Sequence, residues 1–424
     1  MPVSRQVVET LKRRGFAEVM VFVGRRRSGG RAGNQNSRRS SVFLVDHEDV
    51  KHGFLSDERS IFHRVAAAAK PVADDARASS SNRRHYHDFP DLGILLGTVD
   101  EQSLHWLLDS IPVERVTPLL QASLIRPIDR KQIARPTRPV TWGIAKLGVE
   151  ALWHTGITGR GVKVAHLDTG VDADHPTLRG AVGAFAFFDE QGILDEFQPN
   201  PFDSEEHGTH TAATIVGRPV NGQHVGVAPG ATLLCAGVIE GGIVQTRILK
   251  GMQWAIEQGA RVVNISLGVR GYSNEFLLLT QRLRLANVLP VFAVGNEGAN
   301  SSRSPGNYAE ALSVGAIDPD DAVPQFSSSD TINASITVPD LVAPGTSIES
   351  AMPGGGYLSM SGTSMSTPHI SGLAALLLEA NPEATTDQLE QAILSSCRPV
   401  GGALREREGV GMPSASDALA RILG

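Results

Sequence analysis

Asp168, His207 and Ser364 are the residues around which this chain could arrange chemistry. Asp168 closes the apolar run Val162-Lys-Val-Ala-His-Leu and precedes Thr169-Gly170, where the chain can turn. A carboxylate at a strand end orients an imidazole, binds a metal or caps the next turn, and the run alone does not choose among these. Asp-Thr-Gly also occurs in aspartic proteases, but those share a proton between two carboxylates, and there is no second Asp-Thr-Gly here. In His207-Gly-Thr-His210 two imidazoles stand three residues apart, a spacing that puts both on one helical face. Zinc would need a third ligand and a base at defined spacing. The chain has neither His-Glu-x-x-His nor a closely spaced Cys pair, so no catalytic metal is expected. Ser364 lies in Ser361-Gly-Thr-Ser-Met-Ser-Thr-Pro-His369, just ahead of the apolar run Ile370 to Leu378. Proline suits only the early part of a helix, so Ser364 falls at or near a helix N-terminus. Free N–H groups and the helix dipole there favour developing negative charge. The plainer role at such a place is an N-cap, for which Ser361, Thr363, Ser364 and Ser366 compete.

The elements that must position these residues alternate. Apolar runs at Val162 to Leu167, Leu233 to Ile239, Val262 to Leu267, Val288 to Val294 and Leu312 to Ile317 read as strands. Between two of them, Gln245 to Gln258 carries Ile248, Met252, Ala255 and Ile256 on one helical face. This pattern predicts a doubly wound α/β fold on a parallel sheet, with chemistry at the carboxyl ends of the strands. The N-terminal part reads differently, as a small α+β unit. Helices are expected at 4–14, 58–69 and 100–108, and strands at Ala17 to Val23, Leu92 to Val99 and Val113 to Leu119. The proline-bearing run Ala134 to Val140 reads as an exposed linker. The expected division is therefore 1–135 and 136–424.

In order along the chain, Asp168, His207 and Ser364 resemble the subtilisin-like serine proteases (subtilases, peptidase S8), whose triad runs Asp, His, Ser. The resemblance spans about residues 140–424 and rests on Asp-Thr-Gly170, His-Gly-Thr-His210 and Gly362-Thr-Ser-Met-Ser-Thr-Pro-His-Ile-Ser-Gly372. It implies a serine endopeptidase with Ser364 as nucleophile, His207 as its base and Asp168 orienting His207. It further implies Asn296, in Ala293-Val-Gly-Asn-Glu-Gly298, as an oxyanion donor. His210 matches no catalytic position. Ser266-Leu267-Gly268 resembles the family's edge strand, to which an extended peptide adds as a further strand, and Ala293, Val294 and Gly295 would wall the S1 pocket.

The resemblance also carries expectations about specificity and cofactors. Glu205 would lie near S2, within an acidic stretch that includes Asp203 and Glu206, with Asp189, Glu190, Asp195 and Glu196 upstream. Arg303 falls close to where the family places the floor of S1, which implies acidic residues at P1 with a basic residue tolerated at P2. No cofactor is implied for catalysis. A structural calcium is common in the family, but its usual place looks degraded here, with Thr177 for an expected Asp and the loop Arg218-Pro-Val-Asn-Gly-Gln-His-Val225 for the other ligands.

Composition narrows what remains. Charged residues make up 20% and hydrophobic residues 41%, which suits a sizeable core and not a disordered chain. No apolar run approaches the ~20 residues that span a bilayer, so no membrane partner is expected. Two cysteines give no disulfide framework. Residues 1–140 hold 23 Lys and Arg against 16 Asp and Glu, whereas the remainder holds 16 against 29. The basic excess concentrates in Arg25 to Arg39, a Gly/Ser/Asn-rich stretch without interleaved aromatics, which argues against nucleic acid. Docking of the basic part on the acidic part fits the asymmetry better. The first 135 residues then read as the chain's own intramolecular inhibitor, a propeptide-like domain with nickable loops at 24–39 and Ser79 to Arg84. Its tail, Leu124 to Pro139, would lie in the cleft and be cut there. The N-terminus shows no secretory signal, so a cytoplasmic location is expected over secretion. A protein or peptide is the expected substrate. The competing reading is a catalytically silent binding or scaffold protein on the same fold.

Overall fold

The computed structural model describes residues 2–24, 54, 86–89, 93–119, 122–188, 194–195, 200–239, 244–401 and 404–424. The helix expected at 58–69, the loops expected at Arg25 to Arg39 and Ser79 to Arg84, and Asp189, Glu190 and Glu196 lie outside them. Two compact units divide between Gln121 and Ala122. Residues 122–135 thus belong with the second unit, whereas the sequence reading set them in the first.

The first unit is an antiparallel sheet in the order Tyr86–Phe89, Ile94–Val99, Ala17–Val23, Val113–Pro118. Among the described residues two helices accompany it. Arg5–Arg14 starts on Ser4, whose side chain accepts from the Val7 N–H, and Glu101–Ser110 starts on a reciprocal cap between Asp100 and Ser103. Val7, Val19, Val21, Leu95, Leu104, Leu107 and Val116 form its core.

The second unit is built on seven parallel strands. Their spatial order is Leu341–Pro344, Leu312–Ile317, Leu289–Ala293, Val262–Ile265, Lys163–Asp168, Thr232–Gly237, Val182–Phe187. The direction of travel reverses between Val262–Ile265 and Lys163–Asp168, the switch point at which open α/β sheets form crevices. Val164, Ala165 and Leu167 are wholly buried, as are Val262, Val263 and Ile265. Burial on both faces explains why these strands read as unbroken apolar runs and not as alternating ones. Two strands had no sequence expectation. Val182–Phe187 is an edge strand diluted by Gly183 and two alanines, and Leu341–Pro344 is a four-residue edge ending in proline. The central helix, Thr363–Ala380, is buried from Thr363 through Leu378 and packs against the His207–Val216 helix and the sheet.

Candidate active site

Asp168 ends the central strand Lys163–Asp168 and is fully buried. Its Oδ1 accepts from the Thr169 N–H at 2.8 Å and lies 2.7 Å from His207 Nδ1. His207 opens the His207–Val216 helix, and glycines set how closely that helix start approaches the Asp168 turn. Gly170 has φ +127°, and a Cβ there would meet the Phe202 carbonyl at 2.0 Å. A Cβ on Gly208 would meet the Gly170 carbonyl at 2.1 Å. Gly208 is therefore needed for the helix start to reach Gly170, and Gly170 for Phe202 to approach it. Asp203 ties the two motifs further. Its carboxylate accepts from Thr169 Oγ1 at 2.7 Å, from the Thr209 N–H at 2.7 Å and from Thr209 Oγ1 at 2.6 Å. Negative charge is favoured at this helix start.

A carboxylate only accepts, so His207 carries its proton on Nδ1 and Nε2 is left as an acceptor. That Nε2 is buried and has no protein partner. Burial by itself would lower the His207 pKa. The charge of Asp168, its hydrogen bond and the more distant charges of Asp203 and Glu205 outweigh burial, and the net shift is upward. For Asp168 burial works the other way and is outweighed by His207, leaving a carboxyl held below its ordinary range. The pair thus favours an imidazolium beside a carboxylate. His210, in contrast, is pushed down to about 3 by burial and binds the Ile348 carbonyl through Nε2 at 2.9 Å. It is a neutral packing residue.

Ser364 is the second residue of the Thr363–Ala380 helix, so its N–H has no intrahelical acceptor. Pro368 lies one turn on and supplies no N–H to the Ser364 carbonyl, which instead takes a long contact of 3.5 Å from Ser266 Oγ. Asn296 follows the Leu289–Ala293 strand. Its Oδ1 accepts from the Thr363 N–H and from Thr363 Oγ1, both at 2.9 Å. A backbone N–H can only donate, so these bonds fix the amide with Nδ2 outward. Gly362 keeps this approach open, since a Cβ there would lie 2.9 Å from Asn296 Nδ2.

The cleft is occupied by the chain itself. Ser123 and Leu124 pair antiparallel with Gly268 and Leu267, and the Ile125 N–H donates to the Ser266 carbonyl at 3.0 Å. Ser364 Oγ donates to the Ile125 carbonyl at 2.7 Å, and Asn296 Nδ2 donates to the next carbonyl, Arg126, at 2.9 Å. The Ile128 N–H then bonds the Ser361 carbonyl at 2.8 Å, and Asp129–Ile133 pairs antiparallel with Gly356–Ser361. Ser364 and Asn296 thus rest on consecutive carbonyls of one extended segment. Ser266, Leu267 and Gly268 are the residues along which this segment of the chain lies.

The two charged residues expected to bear on specificity are both paired within the chain. Arg303 is buried, but its charge is taken by Glu297, with Nε 2.9 Å from Glu297 Oε1. Its Nη1 reaches Ser123 Oγ at 3.1 Å and the Gly268 carbonyl at 3.3 Å, two residues upstream of Ile125. No unpaired cation is offered to an acidic P1 side chain, and the residue whose carbonyl meets Ser364 is the apolar, buried Ile125. Glu205 does not face Leu124, the residue an S2 role requires. It pairs with Arg126, beyond Ile125, through two 2.9 Å bonds. The reason is local: Asp203 turns inward to the helix start, and Glu205 is left on the rim. Ala293 is buried at its strand end, and Gly295, at φ +127°, gives its carbonyl to Thr363 Oγ1 at 3.2 Å. Asp203, Glu297 and Thr363 are the residues that sequence reasoning did not assign. Spacing of four before His207 and one after Asn296 was the only signal for the first two.

The residues at which the resemblance would place a calcium are engaged with one another and with the backbone. Arg218 Nη2 donates to the Gly180 carbonyl at 2.5 Å, and Thr177 Oγ1 is engaged by His175 Nδ1 at 2.9 Å. Gln223 Nε2 donates to the Pro136 carbonyl at 2.8 Å. The Arg218 backbone N–H also donates to the Thr177 carbonyl at 2.7 Å. Among the described residues no group of three His, Cys, Asp or Glu is placed to hold a metal, and no helix is long and apolar enough to cross a membrane.

Residues 159–411 match the model of the subtilase family. Subtilisin BL of Lederbergia lenta is 36% identical over 264 residues, covering 62% of this chain and 93% of that protein. The M-protease of Shouchella clausii is 35% identical over 272 residues, 64% of this chain and 68% of its own. Subtilisin NAT of Bacillus subtilis subsp. natto is 34% identical over 278 residues, 64% and 69% respectively.

Proposed function

The chain belongs to the subtilase family and is a subtilisin-like serine endopeptidase acting on proteins or peptides, and from that premise we propose that Asp168, His207 and Ser364 are its triad and Asn296 its oxyanion donor. His207 Nε2 takes the Ser364 proton as Oγ attacks the substrate carbonyl. The new oxyanion accepts from Asn296 Nδ2 and from the Ser364 N–H at the helix start. The imidazolium, stabilised by Asp168, then protonates the leaving amine, and water releases the acyl-enzyme by the reverse relay. The observation that carries this reading is the 2.7 Å Asp168–His207 contact with Nε2 left open.

We further propose that the chain is made as a self-inhibited precursor. The segment 122–128 supports this, because it lies along the edge strand with its Ile125 carbonyl on Ser364. Cleavage after Ile125, with Asn296 Nδ2 passing from the Arg126 carbonyl to that of Ile125, would divide an N-terminal inhibitor from a catalytic domain beginning at Arg126. The opposite charge balance of the two parts gives docking a physical basis. A fluorophosphonate tests the site directly. Labelling of the wild type at Ser364, absent from Ser364→Ala, is expected. An unlabelled, folded wild type that also leaves its own chain intact would favour a silent scaffold.

A further inference from the structure

Arg126 and Arg130 are the first and fifth residues after Ile125, and each meets one of two adjacent carboxylates. Arg126 forms a two-pronged pair with Glu205, both bonds at 2.9 Å. Arg130 pairs with Glu206. Glu205 and Glu206 immediately precede His207, so both stand on the side of the leaving group. Their side chains are less exposed than those of the arginines, 39% and 26% against 68% and 55%, so the acceptors are the better fixed half of each pair. The intervening backbone is held by the Ile128 bond to Ser361 and the Asp129–Ile133 pairing, which fixes the register in which two arginines four apart reach two consecutive glutamates. On the unprimed side Arg303 and Arg270 both meet Glu297.

We propose that Glu205 and Glu206 are specificity residues of the leaving-group side. They select substrates with Arg or Lys directly after the cleaved bond and again four residues later. This rests on the endopeptidase reading above. A planar guanidinium matches a carboxylate in two bonds, so Arg is favoured over Lys at the first position. Exposed pairs are individually weak, so each contributes a few-fold preference that salt diminishes.

The test uses the full-length chain after self-processing and internally quenched peptides based on Ala122 to Gln132. One peptide keeps both arginines, one replaces the first by Ala, one replaces the second by Ala, and one replaces the first by Glu. The readout is the ratio of kcat/KM within each enzyme, so changes in folding or total activity cancel. The wild type is expected to prefer the parent over either Ala peptide by about threefold or more at low salt. Glu205→Gln abolishes the first preference and keeps the second, Glu206→Gln does the reverse, and Glu205→Arg favours the Glu peptide over the parent. Cleavage of all four peptides at equal kcat/KM, or ratios unchanged in Glu205→Gln and Glu206→Gln, overturns the subsite and leaves the endopeptidase intact. No peptide cleavage together with no fluorophosphonate labelling of Ser364 overturns the endopeptidase reading and the subsite with it.

Discussion

At the scale of single residues, one amide and one imidazole carry the clearest expectations. Asn296 is oriented by Thr363, so that its Nδ2 can only point outward. Asn296→Ala should lower kcat by about 10²–10³ with little change in KM, the value established for this donor in subtilisin itself. Steady-state kinetics on a peptide substrate checks it. The base must be neutral to act, and the carboxylates around His207 raise its pKa despite burial. Activity is therefore full above that pKa and falls as pH drops through it, with an acid limb above the ordinary histidine range. A kcat/KM profile against pH checks the sign, and a limb below that range would contradict it. The four residues of the proposed machinery stand out in the sequence because each motif keeps a rigid local order: strand then Asp, His then small residues, Asn ahead of Glu-Gly, Ser ahead of proline. Charges were not legible in the same way. Arg303 read as a free cation because its partner, Glu297, is six residues away and reaches it only through the turn after Asn296. Glu205 read as an S2 group because sequence does not say which of Asp203, Glu205 and Glu206 turns inward.

At the scale of elements, the fold was readable wherever a strand is buried on both faces, and least readable at the sheet edges. Val182–Phe187 and Leu341–Pro344 lack the long apolar run that marks the five central strands. The Thr363–Ala380 helix is fixed at both ends. Asn296 takes its first N–H, and Glu379 near its far end accepts the N–H groups of Thr158, Gly159 and Arg160 at 2.6, 2.5 and 3.0 Å. Beside the edge strand Leu341–Pro344, Asp340 is half-buried, with its carboxyl pushed up to about 7 by desolvation. The folded chain therefore holds a proton that the unfolded chain has released. Stability falls as pH rises from the ordinary carboxylate range to about 7. Asp340→Asn can still accept the Ser313 N–H that Asp340 now takes at 2.7 Å. It should raise the melting temperature at pH values above that window and leave it little changed below it, and equal shifts at both would contradict the assignment. Near the loop that follows the His207 helix, Arg218 holds the Gly180 carbonyl, and no structural calcium is expected there. The melting temperature should therefore not fall on adding EDTA, and a fall would contradict a metal-free fold.

At the scale of the whole molecule, the account turns on a chain that occupies its own cleft. The break in composition near residue 135 was visible in sequence, but the compact units divide at residue 121. The intervening residues gain their structure only by pairing with Leu267–Gly268 and Gly356–Ser361, strands far away in sequence, and no local pattern announces that. The most direct measurement is time-resolved intact mass of the full-length protein, wild type beside Ser364→Ala. The account predicts that the wild type alone separates into two fragments joined at Ile125–Arg126, and that Ser364→Ala stays whole. The same cut appearing in Ser364→Ala would contradict it, as would a wild type cut only at sites outside 122–133.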